Sequence, residues 1–230
     1  MGACQSVDRS APSISPAYNL PASDTRQTNT DPFGQLVDQY EAPIRLDWQQ
    51  PERVLAMVEP LPGKKVADIG AGTGFFSFRL LEAGASVIAI DIDPRFLQFI
   101  EQRRDEGPDS LANKLEVRLA KPNAPPLVKE EVDGVLVVNT YNFIQNRIEY
   151  FTAVREGMKR NAWLLIVEYK PGPLPVGPAE EEKIASSLII QELKSAGFSE
   201  VTIETKVLPY QNIYLARGYQ QSTDTITSIF

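Results

Sequence analysis

Short apolar segments alternate with amphipathic helical segments along the chain from Lys64 onward. Strands are predicted at 66–69, 86–90, 115–119, 134–138 and 163–167. Helices are predicted at 75–83, from 94 onward, at 150–158, and at 181–196 with Ile184 and Leu188 facing inward. Two last strands, 201–208 and 212–216, are separated by a short join and should pair antiparallel. The pattern predicts an α/β fold, a mostly parallel sheet with helices on both faces and a C-terminal antiparallel hairpin.

The first 62 residues differ in composition from the rest of the chain. Residues 1–32 are mainly Ser, Pro, Thr, Asn, Asp and Gln, which predicts a flexible leader because few apolar groups are available to bury. Residues 33–62 are predicted to form a helical cap, with Leu36 and Tyr40 on one helix and a second helix starting at Pro51. We therefore expect one domain over 33–220, with its core at 63–220, and a flexible tail at 221–230.

A glycine-rich turn directly after the first apolar strand is the strongest chemical signal. It reads Asp68-Ile69-Gly70-Ala71-Gly72-Thr73-Gly74 and leads straight into a helix. Glycines permit a tight turn and allow backbone amides to approach a ligand without a Cβ in the way. Asp91 follows Gly74 by seventeen residues, at the tip of the next strand, where a carboxylate can accept both hydroxyls of a ribose. The pair predicts a nucleoside-containing ligand; the alternative is a turn that only packs a helix on a strand.

Two features distinguish this turn from a dinucleotide-binding turn. Phe76 is bulky and stands two residues after the last turn glycine, where dinucleotide binders need Gly or Ala for close helix–sheet packing. The Asp68 carboxylate would repel a pyrophosphate but suits a ligand that carries an ammonium group. A nicotinamide-dependent oxidoreductase is therefore the weaker alternative.

The turn resembles motif I of the class I S-adenosylmethionine (SAM)-dependent methyltransferases, and the resemblance extends over residues 40–219. Residues 87–94 are similar to the second-strand signature of bacterial methyltransferase-domain proteins, and residues 132–136 to the entry of their fourth strand. The resemblance implies a Rossmann-like seven-stranded sheet, SAM as cofactor, and in-line methyl transfer to a small-molecule acceptor, mainly through positioning. The cofactor-binding residues that it implies are Asp68, Gly70, Ala71, Gly72, Thr73, Gly74, Asp91, Ile92, Asn123 and Asn139.

The sequence departs from this family after the third and fourth strands. Many relatives bind the adenine amino group with an acidic residue where this chain has Asn123, and often carry histidines where Asn142 and Phe143 stand. The catalytic candidates are Tyr141, Asn142 and Glu168, which follow or end the fourth and fifth strands and could orient the acceptor or take its proton. The missing histidines keep open a second interpretation, a SAM-binding protein without catalytic activity.

Composition excludes several other chemistries. The chain has no histidine and a single cysteine, Cys4, which excludes Ser-His-Asp and Cys-His nucleophiles, His-ligated metals and intrachain disulfides. We accordingly expect no metal centre. A net charge of −7 argues against a nucleic-acid partner, which would need a basic face. Oligomeric state is left open by the sequence.

The N-terminal residues Gly2-Ala3-Cys4 suggest a lipid anchor. They match a myristoylation pattern with Cys4 as a second acylation site, and equally the last residues of a bacterial lipoprotein signal. No apolar run approaches the roughly 20 residues that span a bilayer. The sequence leaves the location open between a cytoplasmic protein and a membrane-anchored lipoprotein whose true start lies upstream of Met1.

Overall fold

The structure is a computed structural model that describes residues 31–217. Its sheet consists of β1 (Lys65–Ile69), β2 (Ser86–Asp91), β3 (Leu115–Leu119), β4 (Val132–Val138), β5 (Met158–Tyr169), β6 (Glu200–Glu204) and β7 (Gln211–Arg217). The strand order across the sheet is β3-β2-β1-β4-β5-β7-β6. Strands β1 to β5 pair in parallel, whereas β7 runs antiparallel to both β5 and β6. The predicted Rossmann-like sheet with a reversed C-terminal pair is confirmed.

The helices fall into an N-terminal group and a group that alternates with the strands. The first group is α1 (Pro32–Tyr40), α2 (Ile44–Gln49) and α3 (Pro51–Leu55). The second is α4 (Phe75–Glu82), α5 (Pro94–Asp105), α6 (Asp109–Ala112), α7 (Arg147–Gly157) and α8 (Ser186–Ser195). Proline at the first helical position of α1, α3 and α5 fits their sharp starts, because the N–H that proline lacks would have no partner there.

The core lies in two layers, one on each face of the sheet. Leu80 of α4 and Ile100 of α5 pack on one face, and Phe151 of α7 and Leu193 of α8 on the other. The residues of β4 from Gly134 to Val138 are all buried, as expected for a central parallel strand that helices cover on both sides. The strand ends that carry the candidate site are therefore supported by a packed core on both faces of the sheet.

Several predicted boundaries are wrong. The helix predicted at 181–196 is shorter, since Glu180–Glu182 form a 3₁₀ turn and α8 begins only at Ser186. In α8, Ile189 is buried against the sheet and Leu188 is 40% exposed, whereas Leu188 was predicted to face inward.

Two strand boundaries also differ from the prediction. Met158, predicted to end a helix, instead begins β5, because it pairs with Val132 before the register shifts. The strand predicted at 201–208 ends at Glu204. Cys4, the leader up to residue 30 and the tail at 221–230 lie outside the described residues. Within residues 31–217 no helix is long and apolar enough to cross a membrane.

The contact between Gly134 and Trp163 gives a direct test of packing in this sheet. A methyl group built on Gly134 would lie 2.2 Å from Cε2 of the Trp163 indole on the neighbouring strand. We expect Gly134→Ala to lower the free energy of unfolding by roughly 1–3 kcal/mol through overpacking, measured by urea denaturation. Gly107→Ala is the control, because its nearest new contact is the Arg104 carbonyl oxygen at 3.3 Å. Equal losses in the two variants would contradict this packing.

Candidate functional site

The parallel pairing of β1 with β2 places the glycine turn beside Asp91. Asp91 Oδ2 accepts a hydrogen bond from the Gly72 amide at 2.9 Å, and Oδ1 accepts one from the Asp93 amide at 2.9 Å. Burial raises the pKa of the Asp91 carboxyl, and these backbone donors oppose the shift. Each carboxylate oxygen can accept more than one hydrogen bond, so both retain capacity for ligand hydroxyls. Asp91 therefore both holds the turn and presents acceptors at its edge.

The conformation of the turn explains its glycines. Gly70, Gly72 and Gly74 have φ angles of 75°, 55° and 78°, in the left-handed region that favours glycine. A methyl group built on Gly70 would lie 2.1 Å from Oγ1 of Thr140, at the end of β4. The turn is thus packed against the residues that follow β4, and Gly70 permits this close approach.

Asp68 lies behind the turn. It is 2% exposed and accepts a hydrogen bond from the Ser77 hydroxyl at 2.6 Å. Burial raises the pKa of this carboxyl to about 6, with the Ser77 hydrogen bond acting in the opposite direction. In this position Asp68 ties the start of α4 to β1.

The N-terminal helices cover the turn. The Tyr40 ring stacks on Phe96 of α5 with centroids 5.5 Å apart, and a methyl group built on Gly72 would lie 3.3 Å from it. Glu41, the C-cap of α1, accepts a hydrogen bond from the Thr73 hydroxyl at 2.5 Å. A salt bridge of 3.4 Å joins Glu41 to Arg103 of α5. Helix α1 is therefore fastened directly to the glycine turn.

A cavity lies between these helices and the carboxyl edge of the sheet, and we call it the cap cavity. Its lining comes from α1, α2, the glycine turn, the ends of β4 and β5, and the proline-rich loop after β5. Tyr40, Trp48 and Tyr169 supply aromatic surface, and the Trp48 and Tyr169 rings are 5.9 Å apart. Aromatic walls with a few polar groups are typical of small-molecule sites.

A chain of buried amides connects α2 to the sheet at this cavity. Gln49 Nε2 donates to Gln211 Oε1 at 3.2 Å, and Gln211 Nε2 donates to Oδ1 of Asn139, which lines the cavity. Gln49 and Gln211 are fully buried. Sequence reasoning missed both residues because isolated glutamines, 162 positions apart, give no signal of their pairing. The hydrogen bond from Gln211 also holds Asn139, a predicted cofactor residue, at the cavity.

Two further predicted cofactor residues, Ile92 and Asn123, are exposed. Ile92 is 46% exposed, and Leu119, which pairs with Asp91 across the sheet, is 58% exposed. Two exposed apolar side chains beside the Asp91 carboxylate offer an apolar surface against which a flat ring can pack. Asn123 is exposed in the loop after β3, and Leu119 was missed because it reads as an ordinary strand residue.

Tyr141 does not line the cap cavity. Its side chain is fully buried, stacks on Phe151 with centroids 4.9 Å apart, and donates its hydroxyl to Glu192 Oε2 at 2.8 Å. Arg147 binds the same carboxylate, with Nε 2.7 Å from Oε2. The hydroxyl expected to orient an acceptor is thus engaged between α7 and α8.

Glu168 ends β5 as predicted but is bonded to the backbone. It is 8% exposed and accepts the Tyr141 amide at 2.8 Å. Burial raises the pKa of this carboxyl to about 7, while backbone hydrogen bonds from residues 140–142 and 169 act in the opposite direction. Asn142, half-buried, lies with Glu168 and Asn139 around a small cleft beside the cap cavity. Of the three catalytic candidates, the structure brings Asn142 and Glu168 together and separates the Tyr141 hydroxyl from them.

Metal ligands do not cluster in the part of the chain that the structure describes. Among residues 31–217, no three Asp, Glu, His or Cys side chains are grouped so that they could hold a metal ion.

Part of the chain is similar to a known family of domains. Residues 67–164 match the model of a methyltransferase domain. A SAM-dependent methyltransferase from Aquifex aeolicus superposes with a TM-score of 0.71 at 23% identity, covering 80% of this chain and 97% of that one. At this identity the likeness establishes the fold.

Two curated relatives match parts of the chain. A malonyl-[acyl-carrier protein] O-methyltransferase from Serratia marcescens is 35% identical over 85 residues, which is 36% of this chain and 33% of the relative. A tRNA U34 carboxymethyltransferase from Pseudomonas aeruginosa is 32% identical over 140 residues, which is 59% of this chain and 41% of the relative. The matches therefore span only a third to two fifths of these relatives' length.

The position of Tyr141 predicts the effect of removing its hydroxyl. We expect Tyr141→Phe to lower the free energy of unfolding by roughly 1–2 kcal/mol, since one hydrogen bond to a carboxylate is lost, and to leave cofactor affinity within a few-fold. Urea denaturation and calorimetry measure the two quantities. A double-mutant cycle with Glu192→Gln should show coupling. Normal stability with weakened cofactor binding would place the hydroxyl in the site instead.

The buried Glu168 predicts a pH dependence of stability. Its carboxyl pKa is raised from the ordinary 4.5 to about 7, so the folded state holds the proton more tightly than the unfolded state. The resulting stabilisation is complete below pH 4.5 and is lost as pH rises through 7. Relative to Glu168→Gln, which cannot ionise, the wild-type protein should lose on the order of 3 kcal/mol over this range.

Urea denaturation at several pH values between 4.5 and 8 measures this difference. Glu149→Gln, the same change at an exposed position of α7, controls for the loss of one charge. A difference between wild type and Glu168→Gln that does not vary with pH would contradict the prediction.

Proposed function

We propose that this chain, which carries a class I SAM-dependent methyltransferase domain, binds SAM and transfers its methyl group to an acceptor. The observation that supports this most strongly is the Asp91 carboxylate, bonded to the Gly72 amide and placed beside the exposed side chain of Ile92. This arrangement fits a nucleoside whose ribose hydroxyls meet Asp91 and whose base lies on Ile92. SAM supplies a methyl group already activated by its sulfonium.

The protein's own contribution is alignment. A preformed geometry for the methyl donor and the acceptor is worth on the order of 7–11 kcal/mol of the barrier. The glycine turn, Asp91 and Asn139 would hold the cofactor, and the aromatic side chains of the cap cavity would hold the acceptor beside it. The fastening of α1 through Glu41 and the buried amide chain through Gln49 keep these groups fixed relative to the sheet.

We propose a small molecule as the acceptor. The cap cavity is enclosed by the N-terminal helices and has aromatic walls, which suits a compact ligand. The net charge of −7 also disfavours a long polyanionic partner. Of the relatives, one is named for malonyl-[acyl-carrier protein] and the other for tRNA, so an acceptor carried by a larger molecule is the alternative to test.

A second function, SAM binding without transfer, is favoured by one observation. The hydroxyl of Tyr141 and the carboxylate of Glu168, the candidates for proton transfer, are both engaged in hydrogen bonds within the protein. Incubation with methyl-labelled SAM and a metabolite extract, or with bulk tRNA, separates the possibilities. Label in a small molecule supports our proposal, label in tRNA changes the acceptor class, and cofactor binding without any transferred label supports the second function.

The cofactor assignment predicts the effect of removing the Asp91 carboxylate. Asp91→Ala should weaken SAM binding by about 10- to 100-fold, because charge-assisted hydrogen bonds to the ribose are lost and Gly72 is released. Isothermal titration calorimetry measures the change. Asp93→Ala is the matched control, because that carboxylate caps α5 and pairs with Arg95 at 2.6 Å instead of supporting the turn. Unchanged affinity in Asp91→Ala would remove Asp91 from the site.

A further inference from the structure

The small cleft beside the cap cavity, which we call the Glu168 cleft, has a buried carboxylate in its wall. Glu168 lines the cleft and is only 8% exposed. Asn139 and Tyr169 line both the cleft and the cap cavity. The two cavities therefore share a wall at the ends of β4 and β5, and a group bound in the cleft would lie next to a ligand in the cap cavity.

Hydrogen-bond acceptors with capacity for a further donor lie on this side of the sheet. Glu168 accepts the Tyr141 amide through Oε1, and a carboxylate can accept several hydrogen bonds at once. Asn212, which pairs with Glu168 across β5 and β7, is 4% exposed, and its buried Oδ1 has no donor within residues 31–217. Directly opposed side chains of antiparallel strands lie on the same face of the sheet. Because a buried acceptor without a donor is unfavourable, this corner favours a ligand that brings donors.

The charges at the cleft favour a cation. Its lining residues, all from the described range, include the carboxylates of Glu168 and Glu182 and the ammonium group of Lys183. Lys183 Nζ donates to the carbonyl oxygen of Gly172 at 2.7 Å, so the ammonium group is held by the proline-rich loop. The excess of negative charge attracts a cationic ligand and repels an acidic one.

Glu168 itself lacks a charged partner in its closest hydrogen bond. The Tyr141 amide that it accepts is neutral, and burial raises the pKa of the Glu168 carboxyl to about 7. The raised pKa reflects the free-energy cost of burying a negative charge. A cation bound beside the carboxylate would offset this cost.

We propose that the Glu168 cleft binds a protonated amine of the methyl acceptor, with Glu168 as its counter-ion and the Asn142 side-chain oxygen as a second acceptor. An ammonium group has three N–H donors and a positive charge, which match the acceptors and the charge of the cleft. The inference rests on the proposed function and deepens it, because it names the acceptor as an amine-bearing small molecule. The apolar part of the acceptor would pack on Tyr169, in the wall shared with the cap cavity.

Thermal shift of the protein saturated with S-adenosylhomocysteine, titrated with butylamine, tests this subsite. Saturation fills the position of the cofactor's own amino group, so that a further response reports a second amine site. At a pH above the Glu168 pKa of about 7, butylamine should raise the melting temperature of the wild type. Butanol and butyrate, its neutral and acidic counterparts, should have no such effect.

Variants of the cleft decide whether the response comes from Glu168. Glu168→Gln keeps an oxygen for the Tyr141 amide and removes the charge, and it should weaken butylamine binding by about 10- to 100-fold. Glu149→Gln, the same change at an exposed position of α7, is the matched control and should respond as the wild type. Equal affinity in the wild type and Glu168→Gln, or an equal loss in both variants, overturns the proposal.

Asn142→Ala provides the second variant, at a half-buried position of the same cleft. If Glu168→Gln does not fold, this variant decides the question. A several-fold loss of butylamine affinity then supports the subsite, and unchanged affinity overturns it.

The outcomes separate this proposal from the proposed function. If S-adenosylhomocysteine does not bind, the proposed function fails, and the butylamine titration is repeated without cofactor. A response that depends on Glu168 then retains the amine subsite, and a response that does not depend on it overturns the subsite. If the cofactor binds and its methyl group is transferred, but butylamine stabilises the wild type no more than butanol does, the subsite alone fails.

Discussion

The hydrogen bond from the Gly72 amide to the Asp91 carboxylate is the constraint on which the site depends. It joins the turn after β1 to the tip of β2, two elements that the parallel sheet brings to the same edge. One side chain therefore fixes the conformation of the turn and presents acceptors to the ligand. The close packing of Gly70 against Thr140 extends the same constraint to the end of β4, where the acceptor is expected.

Helix α1 completes the site through a polar contact and ring stacking, whereas α2 and α3 also bury apolar side chains. Helix α1 has no buried residue and is held by Glu41 on the glycine turn and by ring stacking of Tyr40 on Phe96. Helix α2 is anchored more deeply, through Trp48 and the fully buried Gln49.

The residues that follow β4 show how a carboxylate at a sheet edge can serve structure. Glu168 accepts the Tyr141 amide and so shapes the turn after β4, while the Tyr141 side chain reaches back to Glu192 between the helices. These bonds hold Asn142 at the cleft beside the cavity. Asn142, half-buried at this cleft, is therefore the remaining candidate for orienting an acceptor.

The sequence by itself determined the sheet, the glycine turn and the position of Asp91, because each depends on local signals: apolar runs, glycines at left-handed positions and an acidic residue at a strand end. Tertiary structure alone decided which polar groups meet. Gln49, Gln211 and Asn139 are far apart in the chain and become neighbours only when α2 packs on the sheet. The hydrogen bond of the Tyr141 hydroxyl to Glu192 likewise follows from how the helices pack, as does the burial of the Trp48 Nε1–H without a partner among the described residues. Sequence patterns encode the period of an element and the face it buries, whereas the partner of a single polar side chain is set by contacts between elements that no local pattern records.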